Sequence, residues 1–117
     1  RVVLARTGEG RELAMQGLEA VAERFHVDRV FVVGVAGGLS PELESGAVIV
    51  ANRVMQGATE LPSPDAGWLD RALDGAATVP GVIVSARRIL GTAAEKQGAL
   101  AALGGDAPAA VDLESAG

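Results

Sequence analysis

The sequence predicts an α/β domain, a mixed and mainly parallel sheet flanked by helices, on three observations. First, runs such as Arg29-Val30-Phe31-Val32-Val33 and Ala47-Val48-Ile49-Val50-Ala51 are apolar almost throughout, and continuous apolar strands belong to sheets covered on both faces. Second, segments with apolar residues at helical spacing separate these runs, so strand and helix alternate. Third, 49% of the 117 residues are apolar but only 3% are aromatic. The core is therefore built from Val, Leu, Ile and Ala, whose small side chains let helices sit close to a sheet. The length suits one domain and not two.

In chain order, the first expected strand is Val2–Ala5, ended by the turn Thr7-Gly8-Glu9-Gly10. A helix is expected from about Arg11 to Phe25, because Ala14, Gly17, Leu18, Val21 and Phe25 recur on one face while Arg11, Glu12, Glu19, Glu23 and Arg24 fill the other. A second strand, Val30–Gly34, would close a βαβ unit with a right-handed crossover. Further strands are expected at Val48–Ala51, Val82–Ser85 and Ala110–Asp112. Gly57 to Gly67 is polar, holds Pro62 and Pro64, and reads as a surface loop. Trp68 to Ala76 and Ala93 to Leu103 read as helices. The chain opens inside a strand pattern and a helix is expected to begin at Ser115. Residues 1–117 are thus expected to form a single, partial domain of a larger fold.

The formal charge of -5 and the lack of a basic stripe exclude a nucleic-acid groove, since Arg87-Arg88 is the only tight basic cluster. No apolar run reaches membrane-span length, and no signal peptide opens the chain. The absence of cysteine excludes a disulfide framework and fits a cytoplasmic protein. With one histidine and no cysteine the usual zinc patterns are missing, so no metal or other cofactor is expected.

Three segments can carry chemistry. Gly8-Glu9-Gly10 lies between a strand and a helix, where backbone N–H groups and the helix start favour an anion or hydroxyl oxygen. A plain βα turn is the simpler reading of this segment alone, and Leu13 stands where the dinucleotide fingerprint needs its third glycine. Gly34-Val35-Ala36-Gly37-Gly38-Leu39 is small enough for a planar group to approach its backbone. Asp112-Leu113-Glu114 ends the last strand with two carboxylates at alternate positions, on one side. A carboxylate there can accept hydrogen bonds from two vicinal hydroxyls, as on a ribose, or cap a helix. His26 reads as a surface or capping residue, Trp68 as packing, and Ser85 has no base nearby in sequence.

Taken in order, Thr7-Gly8-Glu9-Gly10, then Gly34-Val35-Ala36-Gly37-Gly38-Leu39-Ser40-Pro41 with Gly46-Ala47-Val48-Ile49-Val50, then Ala110-Val111-Asp112-Leu113-Glu114-Ser115-Ala116 resembles the purine nucleoside phosphorylase and nucleosidase superfamily. The middle block is similar to methylthioadenosine/S-adenosylhomocysteine nucleosidases. Glu60-Leu61-Pro62, Trp68-Leu69-Asp70-Arg71 and Thr92-Ala93-Ala94-Glu95-Lys96 resemble the hopanoid-associated phosphorylase-like branch. The resemblance implies cleavage of the N-glycosidic bond of a purine nucleoside, extending to an adenosyl-hopanoid type of substrate, with water or phosphate as co-substrate.

It also implies roles for individual residues. Gly8 and Gly10 would face the phosphate or attacking water, and Ala36 and Gly37 the sugar and base. Leu113 would pack on the ribose where relatives have a methionine, and Glu114 would grip its hydroxyls. Ile89 and Leu90 would line the base pocket, where one residue is usually aromatic. Val32 stands where classical phosphorylases carry a phosphate-binding arginine, and a buried valine there favours hydrolysis over phosphorolysis unless Arg6 or Arg11 substitutes. The acid that protonates the leaving base would lie beyond Gly117, so residues 1–117 would bind without turning over well. Related enzymes complete their sites at subunit contacts, which implies a homo-oligomer. Two alternatives stand beside this reading. One is a dinucleotide-binding α/β domain, disfavoured because Gly34-Val35-Ala36 replaces the acid needed after the second strand. The other is a non-catalytic, truncated homologue acting as an interaction module.

Overall fold

A computed structural model describes residues 1–75, 77–104 and 107–117. Its elements are α1 (Arg11–Ala22), β1 (Gly37–Gly38), β2 (Val48–Gln56), β3 (Thr59–Glu60), α2 (Ala66–Leu73), β4 (Thr78–Ser85), α3 (Ala93–Ala102) and β5 (Ala109–Asp112). The five strands form one sheet in the order β1-β5-β4-β2-β3. The central trio β2, β4 and β5 is parallel, and the two-residue edge strands run antiparallel to their neighbours. The sheet is therefore mixed and mainly parallel, as the apolar runs imply.

The buried centre lies on the most apolar strands. Val82 from β4, Ala109 and Val111 from β5, and Leu39 after β1 form the core. Ala99, Leu100 and Leu103 at the end of α3 pack against it, with Leu90 and Met55 alongside. Ser40 closes the β1 edge, its Oγ accepting the buried Ala109 N–H at 2.8 Å. On α1 the half-buried positions are Ala14, Gly17 and Val21, part of the face that the spacing predicts, while Leu18 stays exposed. The expected helical end at Ala76 lies outside the described residues; α2 is described to Leu73.

Two expected strands do not form. Neither Val2–Ala5 nor Val30–Gly34 is assigned to the sheet, and no ladder bond reaches either among the described residues. The predicted βαβ unit around α1 is accordingly absent from them. An apolar, β-branched run makes a strand only where a neighbouring edge offers free N–H and C=O groups. These runs lie opposite no such edge, and Val33 and Val35 are 92% and 96% exposed. Phe31 instead meets Trp68 of α2 edge to face, with ring centroids 5.2 Å apart. Arg29 and Arg71 also lie over the Trp68 ring, at 5.1 and 5.3 Å. Trp68 is thus a packing residue, as its sequence context suggests. Val32 is 61% exposed, which corrects the expectation that it is buried.

The middle of the chain is more ordered than its composition suggests. β2 continues five residues past Ala51, through a register irregularity between Ala51 and Arg53. It then turns back into β3 through Gly57, at φ 60, and Ala58. Glycine first in a two-residue hairpin loop suits the twist of the flanking strands. Arg53 and Glu60 pair across this hairpin at 2.9 Å. The expected loop Gly57–Gly67 therefore contains a strand and the start of a helix. Residues Glu114 to Gly117 form a turn, closed by Gly117 N–H donating to the Glu114 carbonyl at 2.8 Å.

Candidate functional site

Because β2, β4 and β5 are parallel, their carboxyl ends share one edge of the sheet, where open α/β sheets bind ligands. Gln56, Ser85 and Asp112 are the last residues of these strands. A cavity of about 640 Å³ opens there, lined by Gln56, Gly57, Thr59, Ser85, Arg87 and Leu90 among others. Arg11, the first residue of α1, reaches it from the other side. This volume falls within the roughly 300–1,000 Å³ of small-molecule sites.

The two carboxylates at the end of β5 and just beyond it have separate tasks. Asp112 is committed locally. It accepts the Ser115 N–H at 3.2 Å through both oxygens, and its Oδ2 also pairs with the Ser115 hydroxyl. Its backbone carbonyl accepts the Ala86 N–H at 2.8 Å. Ser85 Oγ accepts the Ala116 N–H at 3.1 Å, which explains a buried serine with no base beside it. These bonds fasten the terminal turn across the ends of β4 and β5.

Glu114 reaches outward from that turn. Its Oε1 accepts the Gly10 N–H at 2.9 Å and its Oε2 accepts the Leu113 N–H at 3.2 Å. A carboxylate has about four acceptor positions. Two backbone donors therefore orient it and leave two positions for hydroxyl donors. Gly10 is the N-cap of α1, has φ 93, and receives no side-chain cap from its own segment. The Glu114 carboxylate thus sits at a helix start, where the exposed N–H groups favour negative charge.

The other residues singled out in the sequence are placed unevenly. Gly37 lies on β1 opposite Val111, so Ala36 and Gly37 run beside the end of β5. Leu113 is half-buried next to Glu114, and Gly8 is exposed two residues before Gly10. Leu90 lines the cavity and packs on the core. Ile89 does neither: it is 72% exposed and absent from the cavity wall. Gly8, Gly10, Ala36, Gly37, Leu113 and Glu114 are likewise not wall residues; Gly10, which donates to Glu114, precedes the wall residue Arg11, and Ala116 bonds the wall residue Ser85. Sequence reasoning missed Gln56, Thr59 and Ala99 as wall residues, while Arg87, which could bind phosphate or lie on solvated surface, is on the wall. Gln56 and Thr59 come into place only because β2 runs past Asn52, which no local pattern announces.

Among the described residues no cluster of His, Asp or Glu is arranged to hold a metal, and no helix is long and apolar enough to cross a membrane. The model of the phosphorylase superfamily matches residues 1–116. The chain belongs to the phosphorylase superfamily. Within it, the chain is 43% identical over 56 residues to the 5'-methylthioadenosine/S-adenosylhomocysteine nucleosidases of Mycobacterium bovis and Mycobacterium tuberculosis. That match takes in 48% of this chain and 22% of each relative. The fold is similar to the crystal structure of the Neisseria meningitidis nucleosidase of the same name in complex with methylthio-immucillin-A. The TM-score is 0.78 at 23% identity, over 94% of this chain and 56% of that one. The chain thus spans little more than half the length of that superfamily member.

Proposed function

We propose that this phosphorylase-superfamily domain binds a purine nucleoside for cleavage of its N-glycosidic bond, and that the acceptor is water. The observation that carries the proposal is the Glu114 carboxylate: held by two backbone N–H groups at the carboxyl edge of the sheet, with acceptor positions to spare. In the reaction the bond from C1′ to the purine nitrogen breaks, and its electron pair leaves with the base, which gains a proton. Water adds to C1′ and loses a proton. Positive charge builds on the sugar in the transition state, and an adjacent carboxylate stabilises it. Glu114 would hold the vicinal hydroxyls of that sugar, with Leu113 against its face. Leu90 and the neighbouring cavity would take the base and whatever the 5′ carbon carries. Residues 1–117 supply binding groups in this scheme, and none is assigned the proton transfer to the base.

One feature favours water over phosphate, against Arg11 and Arg87 on the cavity wall, which could donate to a dianion. The start of α1, the natural anion position, already faces the Glu114 carboxylate, and a second anion there would meet like charge. The mycobacterial relatives, nucleosidases by name, support the same choice. We extend the substrate class to adenosines with an apolar 5′ group, including the adenosyl-hopanoid type. We place the protein in the cytoplasm as a homo-oligomer, in which the exposed apolar run at Val30–Val35 becomes covered.

Glu114→Gln tests the assignment, since it keeps the shape and removes the charge. Losing a charge-assisted hydrogen bond costs about 1.5–3 kcal/mol, so methylthioadenosine should bind roughly ten- to a hundredfold more weakly. Adenine, which has no ribose, should bind as before. Calorimetry on the intact protein with both ligands checks this. Equal weakening of both would make Glu114 structural, and no weakening of either would remove it from the site.

A further inference from the structure

The bond between Gly10 and Glu114 has a further consequence, which rests on the nucleosidase reading. We infer that Gly10 is a positioning residue: its N–H sets the plane of the Glu114 carboxylate for the ribose hydroxyls, so the Gly8–Gly10 loop and the ribose are coupled through one side chain. The two residues lie 104 positions apart and meet at 2.9 Å. The contact satisfies a donor at the start of α1 that no neighbouring side chain reaches.

α1 has few other anchors to the sheet. None of its residues is buried. A further close approach is at Gly117, where an added Cβ would lie 3.0 Å from both the Ala14 Cβ and the Arg11 carbonyl oxygen. The terminal turn thus carries both the sugar-binding carboxylate and a main support of α1. Two vicinal hydroxyls need a carboxylate of fixed orientation. The Leu113 N–H fixes one oxygen and the Gly10 N–H the other. Without the Gly10 bond Glu114 keeps its charge and loses one constraint on its rotation. Coupling of this kind is reciprocal: a ligand that holds Glu114 in place also steadies the loop that holds it.

Gly10→Ala tests this in the intact protein. Open space surrounds the position, but φ 93 strains any residue with a side chain, so the loop should shift and release Glu114. Gly46→Ala is the control, because Gly46 has φ 87, is equally open, and lies in the turn before β2. Methylthioadenosine should bind about tenfold more weakly to Gly10→Ala. Adenine binding should be unchanged, and Gly46→Ala should leave both ligands unaffected. In a Glu114→Ala background, which removes the acceptor, Gly10→Ala should add little further loss, because the two changes break the same bond. Fully additive losses overturn the inference and leave the nucleosidase reading standing. A Glu114→Gln protein that binds methylthioadenosine normally removes that reading and the inference with it. Should Gly10→Ala fail to fold, amide exchange at Gly10 decides. Its N–H should be protected in the unaltered protein, more protected with methylthioadenosine but not with adenine, and fast in Glu114→Ala. Equal exchange in the unaltered and Glu114→Ala proteins overturns the inference.

Discussion

At the scale of single residues, alternate carboxylates on a strand end look equivalent in sequence, and geometry separates them. Asp112 spends its oxygens on Ser115, while Glu114 keeps acceptor positions open. The position of Glu114 was legible, because an acid closing an apolar strand is costly unless something binds it. Its partner Gly10 was not, since nothing local in the sequence encodes a contact across 104 residues. Gly81 is a second residue whose role only packing reveals. It is buried in β4, and an added Cβ would lie 2.5 Å from the Pro108 carbonyl oxygen and 3.2 Å from Ile49 Cγ2. Backbone on one side cannot yield cheaply, so Gly81→Ala should destabilise the fold by about 1–3 kcal/mol. Urea denaturation should show a lower midpoint at unchanged slope; an unshifted midpoint would contradict this packing.

At the scale of elements, α3 shows how much a helix owes to its first turn. Thr92 Oγ1 accepts the Glu95 N–H, and the Glu95 carboxylate accepts the N–H groups of Thr92 and Gly91. This reciprocal arrangement satisfies donors that the helix leaves unpaired. Arg88 also pairs with Glu95, so the loop after β4 is tied to α3. The hydrogen bond from Arg88, then that from Thr92, holds the Glu95 carboxyl below its ordinary range. A depressed acid stabilises the fold above its unfolded value and loses that contribution as pH falls through the folded one. Thr92→Ala should therefore cost about 0.5–2 kcal/mol near neutral pH. In the unaltered protein part of the α3 contribution should fade as pH drops below about 4.3, and Glu95→Gln should abolish that part of the pH dependence. Urea melts at several pH values check both. Helices and central strands were legible here because their periodicity is local. The extension of β2 was hidden by the polar pair Asn52-Arg53, and the unformed strands at Val2–Ala5 and Val30–Gly34 were overcalled. A run's composition states its capacity to pair, and a neighbouring edge decides whether it does.

At the scale of the whole molecule, the radius of gyration is 14.5 Å, against about 13.4 Å for a compact chain of this length. The excess agrees with the extended, exposed apolar segments that flank α1. The parallel core, the shared carboxyl edge and the anchored carboxylate carry the proposed site, in a chain that belongs to the phosphorylase superfamily. The most direct test of the central claim is to follow methylthioadenosine with the intact protein, with and without inorganic phosphate, and to identify both products. Hydrolysis predicts free adenine and the free thiosugar at equal rates in the two conditions. Adenine released only with phosphate, alongside a sugar 1-phosphate, would contradict the choice of water. Failure to cleave either methylthioadenosine or a 5′-apolar adenosine would contradict the nucleosidase reading itself.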